Sequence, residues 1–162
     1  MSTPEPPGGR NRTPSARLAE LGIELPATVA PLAAYVPAVR TGNLVFTAGQ
    51  LPMTGGRLPA TGKVGAEVSA DQANRLARQC ALNALAAVDS LVGIDSVVRV
   101  VKVVGFVASA PGFVGQPGVI NGASELFGEV FGDAGAHARS AVGVSALPLD
   151  SPVEVEVVVE VG

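Results

Sequence analysis

The sequence has no tryptophan, one tyrosine, one cysteine and one histidine in 162 residues. Each scarcity removes a class of function. The single Cys80 excludes an intrachain disulfide and a cysteine-based zinc site. His137 cannot build a nucleophilic triad with it, because Cys80 falls midway along a predicted helix, on its apolar stripe, and reads as core. Aromatics are only 4% of the chain, so stacking platforms for single-stranded nucleic acid are lacking. A net charge of −3, with no basic stripe, gives no general attraction to nucleic acid or anionic membrane, and neither partner is expected. No apolar run reaches the roughly 18 residues of a membrane-spanning helix. Arg99, Lys102 and glycines interrupt the longest candidates. The sequence holds no P-loop, no GxGxxG and no His/Asp/Glu cluster at metal-ligand spacing. The polar, Pro-rich start does not have the form of a secretory signal, and a cytoplasmic location is the expectation.

Charged residues are also scarce, at 15% against about a quarter in typical soluble domains. Val, Ala and Gly dominate instead. Such a chain has more apolar surface than one small domain hides, which predicts an oligomer.

Residues 1–12, MSTPEPPGGRNR, have no periodicity and read as a disordered lead-in; residues 13–162 read as one domain. Thr13-Pro14 supplies an N-cap and N1 proline for a short helix that Gly22 stops. Prolines bar a helix over Thr28–Pro37, and Tyr35–Val39 is predicted as an edge strand. Thr41-Gly42-Asn43 is a turn before a buried strand, Leu44–Ala48. Thr54-Gly55-Gly56-Arg57 is a hairpin turn. Ser69 and Gln72 match a capping box. The helix behind it carries Ala73, Leu76, Ala77, Cys80, Ala84, Ala87, Val88 and Leu91 on one stripe, and Gly93 closes it. Val97–Ala108 is a β-branched strand in which Arg99 and Lys102 have opposite parity, which predicts a bulge between them. Ser109–Gly118 is a Gly/Pro-rich loop, and Val119–Phe131 is a second amphipathic helix. His137–Val161 reads as a final pair of strands joined by a Pro-containing turn. Val153–Val161 alternates, with valines on one face and Glu154, Glu156, Val158 and Glu160 on the other. Two long helices against one sheet give an α+β layer.

Arg139 has two readings. Its planar fork suits a small carboxylate, or it forms a structural ion pair with Glu154 or Glu156. Glu154 or Glu156 positions a water or accepts a proton, or both line a solvated strand face. Asn121 caps the second helix or bonds a ligand. Tyr35 bonds a ligand or covers the sheet edge. His137 is structural or gating.

Four segments together resemble the RidA/YjgF family, the reactive-intermediate deaminases. They are Gly42–Pro52 (GNLVFTAGQLP, similar to G-N-x-x-x-x-S-G-Q-x-P), Val119–Ala123 (VINGA, at the V-N-x-x-Y helix start), Ala138–Val142 (ARSAV, similar to A-R-S-x-V) and Val153–Glu156 (VEVE, similar to V-E-I-E). Their order and spacing agree from about Tyr35 to the end. The wording YVPAVRTGN, VINGAS and HARSAVGVSALPL is most similar to the endoribonuclease, YjgF/chorismate-mutase-like branch, where the likeness reaches back to Arg17–Pro26.

The resemblance implies a chorismate-mutase-like α+β fold, a mixed sheet with two helices on one face. It implies a homotrimer whose sheets close a central barrel, with pockets between subunits. It further implies that Arg139 binds a substrate carboxylate and that Glu154 orients the attacking water or holds the polar end of the pocket. Asn121, Gly49 and the Ala141 position line the pocket, and Tyr35 closes it from another subunit. The implied reaction is hydrolysis of enamine/imine intermediates to a 2-keto acid and ammonia, with no metal or cofactor. Departures from the family pattern are Ala141 where Cys or Thr is common, Ala48 before Gly49, Val36-Pro37 after the tyrosine and a longer Ser109–Gly118 loop. The alternative is a non-catalytic trimer that binds small carboxylates. An endoribonuclease is disfavoured by the lone histidine and the missing basic groove.

Overall fold

The computed structural model describes residues 12–29, 31 and 33–162. The disorder expected of residues 1–12 therefore falls, Arg12 apart, outside the described residues. Helix α1 (Pro14–Glu20) begins as the sequence predicts. The Thr13 hydroxyl accepts from the Ala16 N–H, and Gly22 follows at positive φ. Ser15 and Arg17 tie α1 down: Ser15 donates to both oxygens of Asp95, and Arg17 Nε donates to the Glu129 carbonyl.

Five strands form one sheet in the order β1 (Ala38–Thr41), β2 (Leu44–Thr47), β5 (Val153–Val161), β3 (Val97–Ala108), β4 (Ala138–Val144). All neighbours are antiparallel except β3 and β4, so the sheet is mixed. Two long helices, α2 (Ala70–Val92) and α3 (Gln116–Phe131), cover one face.

The alternation in β5 sets the layers. Val153, Val155, Val157, Val159 and Val161 are at most 1% exposed under the helices, and Glu154, Glu156, Val158 and Glu160 stand half-buried on the opposite face. The bulge expected in β3 is present: its register against β5 shifts between Val100 and Lys102, and again between Val97 and Arg99.

Several expectations need correction. The first strand starts at Ala38, not Tyr35. Pro37 precedes it, and a proline has no N–H for a ladder. Strand β2 is not buried throughout, because Phe46 points to the open face and is 42% exposed. The last two strands are not a pair, since β3 lies between β4 and β5. A parallel neighbour needs a crossover, and α3 supplies it between β3 and β4. Helix α3 starts at Gln116, three residues early, because Pro117 fits the first turn, where its missing N–H costs nothing. Leu91 is exposed rather than on the packed stripe, whereas Ala81, Asn83, Leu85 and Ala86 are buried as well.

Helices α2 and α3 meet at Gly122, where an added Cβ would collide with the Asn74 carbonyl oxygen. The Asn74 side chain reaches across to donate to the Gly118 carbonyl at 2.9 Å. The contact sits one residue from Asn121, so it fixes the helix that carries a candidate site. Gly122→Ala should push the helices apart and destabilise the fold by about 1–3 kcal/mol, read as a lower denaturation midpoint in urea.

Candidate functional site

Arg139 is the second residue of β4 and lies level with Val103 of β3, on the helix-covered face. One terminal nitrogen, Nη1, donates to Asn121 Oδ1 at 2.7 Å and to Ser124 Oγ at 3.2 Å. Nε and Nη2 have no protein partner among the described residues. Asn121 does not cap α3. Gly115 is the N-cap, and Asn121 stands in the helix interior with its side chain turned to the arginine. Ala141, next along the same face of β4, packs its methyl on the core.

The ion pair of Arg139 with Glu154 or Glu156 does not form. The glutamates lie on β5, two strand spacings away, which is roughly 10 Å, and on the other face of the sheet. No carboxylate pairs with Arg139 among the described residues. Its charge is held only by neutral oxygens.

Ser124 and His137 complete this group. Sequence reasoning passed over Ser124 and left His137 outside the site. His137 Nδ1 lies 2.6 Å from the Gly135 carbonyl and Nε2 lies 2.9 Å from Ser124 Oγ. The ring stands edge-on to Phe127, with centroids 5.9 Å apart at 90°. A signal for Ser124 was present: it follows Asn121 by three positions, so the two share a helix face.

A second group lies toward the other edge of the sheet. Gln50 extends the β2 ladder by exchanging both backbone bonds with Val155. That pairing brings Gly49 against Glu154, whose Oε1 occupies the place a Gly49 Cβ would take. Any side chain at Gly49 would evict the carboxylate. Beside Gly49 is a cavity of about 60 Å³ lined by Tyr35, Val29, Pro31, Pro37, Leu51 and Met53. The buried Asn83 of α2 holds its floor, donating to the carbonyls of Leu51 and Met53 at 2.9 and 3.1 Å.

Burial raises the pKa of Glu154, and repulsion from Glu156 on the same strand face raises it further. Glu156 is raised by burial alone. The thiol of Cys80 is pushed well up by burial, then by Glu154, and it stays a core residue. Among the described residues, no group of three or more His, Cys, Asp and Glu side chains gathers as a metal site.

The predicted site residues thus fall into two groups. Arg139, Asn121 and Ala141 stand at the β4 edge, and Tyr35, Gly49 and Glu154 at the β2–β5 side. One chain does not bring Arg139 and Glu154 together.

Known proteins share this arrangement of elements. The model of the family described as endoribonuclease L-PSP matches residues 26–161. Protein TCP17 of Trypanosoma cruzi is 43% identical over 148 residues, covering 90% of this chain and 92% of that protein. The crystal structure of protein Atu1372 from Agrobacterium tumefaciens is 45% identical with a TM-score of 0.84, covering 93% of this chain and 94% of that one. The structure of E. coli TdcF with bound serine is 26% identical with a TM-score of 0.57, covering 85% of this chain and 93% of that one. No helix among the described residues is long and apolar enough to cross a membrane. With its mixed sheet, its two covering helices and a family match over most of its length, the chain belongs to the endoribonuclease L-PSP family, also called the RidA/YjgF family.

Proposed function

We propose that this protein hydrolyses small 2-imino acids, formed as enamine/imine intermediates, to 2-keto acids and ammonia. The working unit is a cytoplasmic homotrimer with sheets closed into a barrel. Each site lies between neighbouring subunits, taking Arg139, Asn121 and the Ala141 position from one and Tyr35 with Gly49 and Glu154 from the other. The observation that carries this reading is the Arg139 guanidinium, half-buried, held by neutral oxygens and paired with no carboxylate among the described residues. Such a cation is ready for a ligand carboxylate. Serine bound to TdcF, a member of the same fold, is a small molecule of that kind.

The reaction asks little of the protein. An imine carbon is already electrophilic. Water adds to it, one proton leaves the water and one reaches the nitrogen, and the carbinolamine collapses to a ketone and ammonia. Arg139 fixes the carboxylate, which places the C=N bond. Glu154 accepts the proton from the water and returns it to the departing nitrogen. The apolar cavity beside Tyr35 takes the substrate side chain.

Coupled imine hydrolysis tests the reading. An amino-acid oxidase generates 2-imino acids from a panel of amino acids while semicarbazide competes for them, and diversion to the keto acid is measured. Arg139→Ala should lower kcat/KM by roughly 10²- to 10³-fold with the oligomer intact. Full activity in that variant would sink the proposal. Binding of 2-keto acids without diversion would make the protein a carboxylate-binding trimer instead.

The acid limb of the pH–rate profile gives a second check. The working form of Glu154 is the carboxylate, so kcat should rise with pH through its raised pKa. Glu156→Gln removes the repulsive part of that rise, so the limb should move to lower pH. An unmoved limb would take Glu154 out of the proton-transfer role. Glu154→Gln should lower kcat by roughly 10²-fold or more.

A further inference from the structure

The oxygens around Arg139 are themselves ordered by a chain of hydrogen bonds whose direction can be deduced. A carbonyl oxygen only accepts, so the 2.6 Å contact between His137 Nδ1 and the Gly135 carbonyl requires the proton on Nδ1. In the neutral ring Nε2 then carries a lone pair. Ser124 Oγ, 2.9 Å away, must donate to it. The Ser124 hydroxyl has one proton, now committed, so a lone pair is left for the Arg139 Nη1–H at 3.2 Å. The second Nη1–H goes to Asn121 Oδ1 at 2.7 Å. Both hydrogens of Nη1 are therefore engaged.

The far end of this chain is rigid. Gly135 is buried with its Cα against the Phe127 backbone, where a side chain would collide with the Phe127 carbonyl oxygen. The His137 ring is held edge-on to Phe127, which is fully buried. A fixed carbonyl thus sets the ring, the ring sets the hydroxyl, and the hydroxyl sets the guanidinium.

We propose that Ser124 and His137 are positioning residues that lock the Arg139 fork, so that a ligand carboxylate is taken side-on along its Nε–Nη2 edge. The proposal rests on the reading of Arg139 as a carboxylate clamp. Neither residue touches the ligand. Without them Nη1 loses one of its two anchors, and the fork rotates among orientations of which only some accept two parallel hydrogen bonds.

Two measurements on the full-length protein test it. The first needs no ligand. His137 is the only histidine, so its ¹⁵N signals are assigned without ambiguity, and Arg139→Lys identifies the Arg139 Nε–H signal. The histidine should show the Nδ1–H tautomer. The Arg139 signal should shift in Ser124→Ala and in His137→Leu. It should stay near the wild-type position in His137→Gln, whose amide oxygen can accept from Ser124.

The second measurement is binding of pyruvate by calorimetry, with KM and kcat in the imine assay beside it. Ser124→Ala and His137→Leu should each weaken binding roughly five-fold, the effect of one ordinary hydrogen bond. KM should rise in step with little change in kcat. The double variant should be no weaker than Ser124→Ala alone, because the two act in series, and His137→Gln should bind within about two-fold of wild type. An unmoved Arg139 signal overturns the proposal, as does a double variant whose losses multiply. A wild-type protein that neither binds pyruvate nor hydrolyses imines refutes the proposed function, while the Arg139 signal still decides the positioning.

Discussion

The period-two pattern of β5 is the constraint on which the rest of the structure depends. Its valines form the sheet side of the core beneath α2, and its glutamates stand on the opposite face. Burying each valine fully stabilises the fold by roughly 1.5–3 kcal/mol. A slip of one residue would turn all of them outward and drive carboxylates under the helices. Register in β5 is therefore strongly specified, and its neighbours inherit it. Gln50 reaches Val155, and Thr47 accepts from the Val157 N–H, only in this alignment. The apposition of Gly49 and Glu154 is a by-product of the same register.

Two consequences meet at the functional groups. The face that carries Glu154 and Glu156 is crowded enough to desolvate both carboxyls, and the Glu156 charge raises Glu154 further. The face that carries Arg139 offers it amide and hydroxyl oxygens instead of a carboxylate. The sheet thus separates the cation from the carboxyls that would otherwise neutralise it. A mutual ion pair would satisfy both groups and leave neither available to a ligand.

Much of this was legible in the sequence. The alternation of Val153–Val161, the Ser69 cap, the glycine stops and the opposed parity of Arg99 and Lys102 each reflect a local rule, and each appears in the fold. The order of elements supplied the α+β class and the residue types the first candidates; the family motifs added their roles and the Gly49 and Ala141 positions. What local rules could not supply was the spatial order of strands. Adjacent segments suggest a hairpin, but β3 enters between β4 and β5, and that insertion puts Arg139 and Glu154 two strands apart. The capping reading of Asn121 fails because α3 starts at Gln116, ahead of the predicted Val119. Ser124 went unnoticed because its meaning comes from His137, thirteen residues on, across a turn.

Strand β5 lies at the centre of the sheet yet follows every strand it pairs with. During synthesis, β2 and β3 leave the ribosome well before the strand that joins them. Until it arrives, each exposes an unpaired edge and a valine-rich or aromatic face. The sheet cannot form stepwise from its first hairpin, because its middle strand is made after the other four. Completion of the fold is therefore a late event that closes long loops at once, a topology associated with slow folding. The nascent chain has a built-in interval of exposure, and a chaperone that shields the edges of β2 and β3 would act in that interval.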